Sequence, residues 1–367
     1  MTHPETVLEI NLSHLTHNYT YLKNKVQPGV KMLAVVKAFG YGSDAVSVAQ
    51  HLETLGVDYL AVAYAPEGVE LRKSGITTPI MVLHPQPNNF ELLLAYNLEP
   101  SLYSFRVLEG FLAEAKQANK EEFPIHIKYN SGLNRIGFVQ EDVIKIQQLL
   151  QLTTTVKVTS ILSNLAASED PEERDFTLEQ IALFEEFVAS LTSYLGYTPL
   201  LHCSNTSGIL NYPEAHFSMV RTGIGLYGYG NEARFDRELR PIATLKSVIS
   251  QIHELEEGHC VGYNRGFIAE KRTLSATIPL GHADGIDRIY GHGKGFVTIH
   301  GQRAPILGNV CMDMIMVDVT NIPCNEGDEV LVFGKTASAD TLAAAVGTIS
   351  YELITGIAGR IPRRIIE

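Results

Sequence analysis

The sequence predicts an α/β protein: an N-terminal (β/α)8 barrel of the TIM type followed by a C-terminal, mostly-β domain. Three observations carry that expectation. The 367 residues amount to about two domains of chain. Eight short apolar runs alternate with helical patterns between about residues 30 and 225. Beyond a polar connector around Asn231 to Glu238, the helical period gives way to strand alternation.

The eight runs are centred on Leu33 to Val36, Tyr59 to Val62, Ile80 to Leu83, Glu99 to Tyr103, Ile125 to Tyr129, Val156 to Leu162, Leu200 to Cys203 and Phe217 to Arg221. Eight strands with helices between them fit a closed barrel better than an open doubly wound sheet. The clearest helix is expected over Leu178 to Leu195, where Leu178, Ile181, Phe184, Phe187, Val188, Leu191 and Leu195 fall on one face. Thr177 with Gln180 reads as its capping box, and Gly196 as the left-handed residue that ends it. In the second half, Leu274, Ala276 and Ile278 alternate with Ser275 and Thr277 as in a half-buried strand. Phe296 to Ile299 and Arg303 to Leu307 flank a hairpin turn at His300 and Gly301, and strands follow near Ile315 to Val319 and Glu329 to Phe333. The division is therefore residues 11–232 for the barrel and 233–367 for the β-rich domain, with residues 1–10 joining the latter.

Composition narrows the function classes. With 29 Lys and Arg against 41 Asp and Glu, the net charge of −12 has the wrong sign for gripping nucleic acid or an anionic membrane surface. The longest apolar stretches fall far short of the roughly 20 residues a bilayer span needs. The start, MTHPETVLEIN, carries Glu5 and Glu9 and shows no signal peptide, so a cytoplasmic location is expected. Cys203, Cys260, Cys311 and Cys324 lack metal-ligand spacing and read as reduced thiols.

In such a barrel the reacting groups gather where strands end. The first run ends LAVVKAFGYG, bringing Lys37 to the mouth, where a low dielectric disfavours the ammonium and frees an amine able to form an imine with a carbonyl. The segment equally suits a lysine whose stem packs on the rim while its charge stays in water. HCSNTSG and VRTGIGLYG put Asn205, Thr206, Gly223 and Ile224 on the two loops where barrels commonly bind phosphate. Gly223, Gly225 and Gly228 match Gly-x-Gly-x-x-Gly, yet they follow a last strand, so a Rossmann reading fails; a simple glycine turn stays open. Arg221 ends the eighth run as a permanent cation that donates hydrogen bonds and accepts none, suited to an anionic or basic acceptor or to a structural ion pair. After the fifth run, Lys128 and Arg135 are a functional pair or a solvated loop. His282 with Asp284 offers only two ligands, too few for a metal.

Together these segments resemble the alanine racemases, from VLEINLSHLTHN near the start to SYELITGIAGRIPRR at the end. The resemblance implies a pyridoxal 5′-phosphate (PLP) enzyme interconverting L- and D-alanine, supplying D-alanine for peptidoglycan. It makes Lys37 the imine former and one catalytic base, and Tyr41 a phosphate contact. Thr206, Gly223, Ile224 and Tyr351 fall on the other phosphate positions, with Asn205 beside them, and Arg221 on the arginine facing the pyridine nitrogen. VGYNRGF supplies Tyr263 as the second base; Lys128 matches a lysine often carbamylated, Arg135 the arginine it orients, and Met312 a residue whose backbone meets the substrate carboxylate. The implied homodimer is head to tail, so Tyr263 and Met312 would serve the partner's Lys37.

Three departures stand out. Asn164, in SNLA, replaces a usual histidine, so the hydrogen bond orienting the arginine must come from an amide. His282, in GHADG, replaces a site-lining tyrosine, and Thr222 replaces a proline after the arginine. A racemase of another small amino acid such as serine, or a non-catalytic PLP-binding protein, are the alternative readings. Residues 239–367 count against the second, which would lack this domain and its Tyr263.

Overall fold

Every one of the eight apolar runs forms a parallel strand. A computed structural model describes residues 5–367. The first strand, β1 (Val7–Asn11), leads through a helix (Leu12–Lys23) into β2 (Lys31–Val35), β3 (Tyr59–Val62), β4 (Ile80–Val82), β5 (Glu99–Leu102), β6 (Phe123–Lys128), β7 (Val156–Leu162), β8 (Leu200–His202) and β9 (Met219–Thr222). Strands β2 to β8 pair with their sequence neighbours, and β9 pairs with β2. The seam between β8 and β9 is thin: Ser218 N donates to Leu201 O and Arg221 N to Ser204 O, each at 3.2 Å. The barrel is nearly closed. Leu33 stands opposite Tyr59 on one side and Arg221 on the other, which fixes the height of Arg221 against the first strand.

The long helix spans Arg174–Leu195, starting before the expected capping box. Asp170 accepts from Glu172 N at 2.9 Å and opens a 3-10 turn, Pro171–Glu173, so the chain is already helical when it reaches Thr177. Thr177 and Gln180 are instead buried inside the helix, and Gln180 Oε1 accepts from Ala166 N at 2.9 Å. That bond ties the helix to the loop after β7. Gly196 ends the helix with φ +71°, as its lack of a Cβ permits. Ile181, Phe184, Phe187, Val188 and Leu191 are buried, the face the sequence period marks.

Beyond a short helix (Ala233–Asp236) come β10 (Ala243–Val248), β11 (Gln251–Leu255), β12 (Cys260–Val261), β13 (Phe267–Ile268), β14 (Thr273–Ile278), β15 (Phe296–Ile299), β16 (Gln302–Leu307), β17 (Ile315–Asp318), β18 (Glu329–Phe333) and β19 (Arg363–Ile366). Nine strands make one sheet in the order β11-β14-β17-β16-β15-β18-β10-β1-β19. In it β1 runs antiparallel to β10 and parallel to β19. The hairpin between β15 and β16 turns at His300 and Gly301, with φ +49° and +77°, the paired positive values of a tight two-residue turn. The simple alternation expected along β14 does not hold: Ser275 is buried and Leu274 only half-buried. The strand is paired on both edges, by β11 and β17, and since adjacent residues point to opposite faces, burial of both Ser275 and Ala276 means both faces are covered there. Among the described residues no helix is long and apolar enough to cross a membrane.

Candidate active site

The first strand of the barrel ends in a left-handed turn. Ala38, Phe39, Gly40 and Tyr41 have φ of 53°, 55°, 62° and 51°, a conformation that costs a non-glycine residue roughly 1–2 kcal/mol. The Glu67 carboxylate holds it, accepting from Ala38 N at 2.7 Å, Ala63 N at 2.7 Å and Tyr64 N at 3.0 Å. Gly42 closes the turn at φ +81°, where a Cβ would lie 2.2 Å from the Ile354 carbonyl oxygen. The reversal lets Lys37 and Tyr41 line one cavity of about 620 Å³.

Lys128 at the end of β6, Arg135 and Asn164 on the loops after β6 and β7, Asn205 and Thr206 after β8, and Arg221, Gly223 and Ile224 at the end of β9 line the same cavity. Tyr351, from the helix Ser350–Thr355, completes it. Thr206 Oγ1 accepts from Gly223 N and Gly225 N, each at 3.3 Å. A Cβ on Gly223 would sit 2.3 Å from Tyr41 Oη, so only glycine allows that hydroxyl so close to the backbone. Tyr41 stacks on Tyr227 with centroids 4.3 Å apart, and Tyr351 Oη accepts from Asn231 Nδ2 at 3.2 Å. Asn205 Oδ1 accepts from Gly208 N and from Ser168 Oγ, pinning the loop beneath Thr206.

Charge here is dominated by buried cations. Burial lowers the Lys37 pKa, and Arg135 lowers it further, while Glu67 pulls the other way. Lys128 is held well below an ordinary lysine by burial and by Arg221 and Arg135. Burial takes Arg221 down to about 10, so it stays cationic at neutral pH. Its Nη1 donates to His202 Nδ1 at 3.0 Å and His202 O at 3.1 Å; its Nη2 reaches Ser163 O at 2.8 Å, Asn164 Oδ1 at 3.0 Å and Cys203 O at 3.2 Å. The Asn164 side-chain amide thus hydrogen-bonds the guanidinium, its Oδ1 accepting. Among the described residues no acceptor meets the Arg221 Nε–H, which leaves it as the donor available to a ligand. Burial raises the Tyr41 phenol, and with Asn231 opposing it pushes Tyr351 up to about 12, so both remain hydroxyl donors.

Tyr263, Met312 and His282 lie elsewhere, along a second cavity of about 520 Å³ walled also by Asn309 and Cys311. Tyr263 is 78% exposed and Met312 59%. Asp284 is committed to Arg360, with contacts of 2.6 and 2.9 Å, and to Gly281 N. Among the described residues no group of three or more His, Cys, Asp or Glu could hold a metal ion, and the four cysteines are free. Sequence reasoning passed over His202, although it opens the quoted HCSNTSG string, and His84, which follows the third apolar run and lines the first cavity.

The donor set suits PLP. Hydroxyls of Tyr41, Thr206 and Tyr351 line the cavity together with Gly223 and Ile224, a lysine shifted toward its neutral amine lines it too, and an Arg221 N–H is left for a ring nitrogen. A barrel with this mouth, joined to a nine-stranded β domain, defines the barrel class of PLP enzymes. Family models for the alanine racemase N-terminal domain and C-terminal domain match residues 10–231 and 242–365. The chain belongs to the alanine racemase family. It is 36% identical to an alanine racemase of Thermodesulfovibrio yellowstonii, over 98% of this chain and 97% of that one. It is also 36% identical to alanine racemase 1 of Clostridium acetobutylicum, over 98% and 95%. A solved alanine racemase of Clostridium difficile 630 superposes with a TM-score of 0.93 at 33% identity, covering 100% of this chain and 97% of that one. The structure of a Bartonella henselae alanine racemase, described with covalently bound pyridoxal phosphate, gives 0.90 at 27%, covering 99% and 100%.

Proposed function

We propose that this chain interconverts L- and D-alanine in the cytoplasm, supplying D-alanine for peptidoglycan, as a homodimer whose two active sites are each built from both chains. The carrying observation is the single cavity in which Lys37, Arg221 and the hydroxyls of Tyr41, Thr206 and Tyr351 meet. Residues 11–232 would form the cofactor-binding unit and 233–367 the unit bringing Tyr263, with residues 1–10 joining the latter. Of these, residues 1–4 lie outside the described residues.

PLP, when bound, supplies an electron-withdrawing ring that makes the α-proton of an attached amino acid acidic. Tyr41, Thr206, Tyr351 and the backbone at Gly223 and Ile224 would hold its phosphate, with Asn205 fixing their loop. Lys37 would hold the cofactor covalently and would move the α-proton on one face; Tyr263 of the partner subunit would move it on the other. Two bases on opposite faces give inversion. Arg221 donates and cannot accept a proton, so its Nε–H would leave a facing ring nitrogen unprotonated, which would restrain charge from spreading into the ring and disfavour transamination. Asn164 steadies the guanidinium. Arg135 and the Met312 backbone would meet the substrate carboxylate, and His282 would line its approach.

Lys128, a buried amine beside two guanidiniums, is suited to take up carbon dioxide as a carbamate, releasing a proton. The resulting anion would answer the charge of Arg135 and Arg221. Purified protein with PLP and L-alanine should yield D-alanine by chiral chromatography. No D-alanine, or faster turnover of serine, would overturn the assignment. Borohydride treatment of cofactor-loaded protein should label Lys37 alone.

A further inference from the structure

We propose that Glu99, His126, Ser160 and His202 form one polarised hydrogen-bond relay through the barrel that fixes the tautomer of His202 and so positions Arg221. None of the four lines the catalytic cavity. They come from four consecutive strands, β5 to β8, and all are buried, the two histidines and the serine completely. Tyr59, on the non-adjacent β3, meets His126 edge-on with centroids 6.1 Å apart, so these side chains point across the barrel's interior. Barrel interiors are ordinarily filled by apolar layers, and a polar group placed there is costly unless every donor finds an acceptor.

Within the relay every donor does. Arg221 Nη1–H donates to His202 Nδ1 at 3.0 Å, so Nδ1 carries the lone pair and the ring proton sits on Nε2. That N–H donates to Ser160 Oγ at 2.8 Å. The serine hydroxyl donates onward to His126 Nδ1 at 2.7 Å, and His126 Nε2–H donates to the Glu99 carboxylate at 3.0 Å. All donors point one way, from the guanidinium to the carboxylate. In a low-dielectric interior each bond polarises the next. The reverse orientation would set a His202 N–H against the Arg221 N–H, donor facing donor. Burial, Arg221, His126 and Lys128 all favour the neutral ring at His202.

The relay thus anchors Nη1 from behind while the Ser163, Asn164 and Cys203 acceptors hold Nη2, leaving Nε–H as the one donor not taken up, aimed by the five bonds of Nη1 and Nη2. These are positioning residues. Their bearing on turnover rests on the function proposed above; the relay itself does not.

The test is imidazole nitrogen NMR on the cofactor-free protein. His126 and His202 should both appear as neutral Nε2–H tautomers. Glu99→Gln should move the His202 nitrogens as well as those of His126, and the same substitution in a Ser160→Ala background should move His126 alone. His202 resonances that ignore Glu99→Gln, or that respond equally without the serine, would overturn the relay. Ser160→Ala by itself, the milder change, must shift both histidines at once; a shift at only one is equally contrary. In loaded enzyme Ser160→Ala should lower kcat about tenfold, as expected of a misaimed group, with KM for alanine within about twofold; unchanged kcat would refute the positioning role. Because the NMR needs neither cofactor nor substrate, its failure leaves the racemase assignment standing.

Discussion

At the residue scale, the proposed second base is a phenol that a single chain leaves open to water. Tyr263→Phe keeps the ring and deletes the proton carrier. Cofactor binding should persist, read by absorbance, while turnover falls by about 10²–10⁴, the range for a lost general acid–base group; undiminished turnover would remove Tyr263 from the reaction. His202 titrates in a readable way. Its folded pKa lies well below the ordinary 6.5, first through burial and then through Arg221. Above about pH 6.5 both folded and unfolded rings are neutral; as the pH falls further only the unfolded ring takes up a proton, so stability is lost. The unfolding free energy of His202→Gln, from denaturant titration, should decline with acid less steeply, by up to about 1.4 kcal/mol per pH unit. Lys37 and Arg221 were legible in the sequence because each ends an apolar run, a place with known geometry. The role of His202 was not, since it depends on which strand closes beside it: β8 meets β9 only once the barrel forms.

At the scale of elements, the turn after β2 stores strain at three residues other than glycine, Ala38, Phe39 and Tyr41, with φ of 53°, 55° and 51°. Ala38→Gly should stabilise the fold by about 1 kcal/mol by relieving that conformation, measured by denaturation, while loosening the aim of Lys37 and lowering kcat. The opposite change, Gly223→Ala, forces a Cβ to within 2.3 Å of Tyr41 Oη. Equilibrium dialysis should show weaker cofactor binding with the fold retained; unaltered affinity would mean the hydroxyl is not needed there. The eight strands could be read because apolar runs at barrel spacing have few other solutions. The start of the helix Arg174–Leu195 was misread because Thr177 and Gln180 have the composition of a cap but are used for packing and for holding Ala166. The alternation in β14 does not carry through because both faces are covered at its centre, where adjacent Ser275 and Ala276 are each buried.

At the scale of the whole molecule, the barrel mouth and the cavity carrying Tyr263, Met312 and His282 are separate in one chain. Sequence order gives no measure of that gap, and only the resemblance to the racemases suggested a second chain to bridge it. A site shared head to tail has a consequence that a self-contained one lacks: two differently damaged chains can repair one another. Lys37→Ala and Tyr263→Phe are each expected to be inactive alone. When the two are co-expressed and purified together, half of randomly assorted dimers are mixed, and each mixed dimer holds one intact site. Recovery of about a quarter of the wild-type activity per chain is expected; activity no greater than the sum of the two inactive parents, in a sample shown to contain mixed dimers, would rule out a shared site.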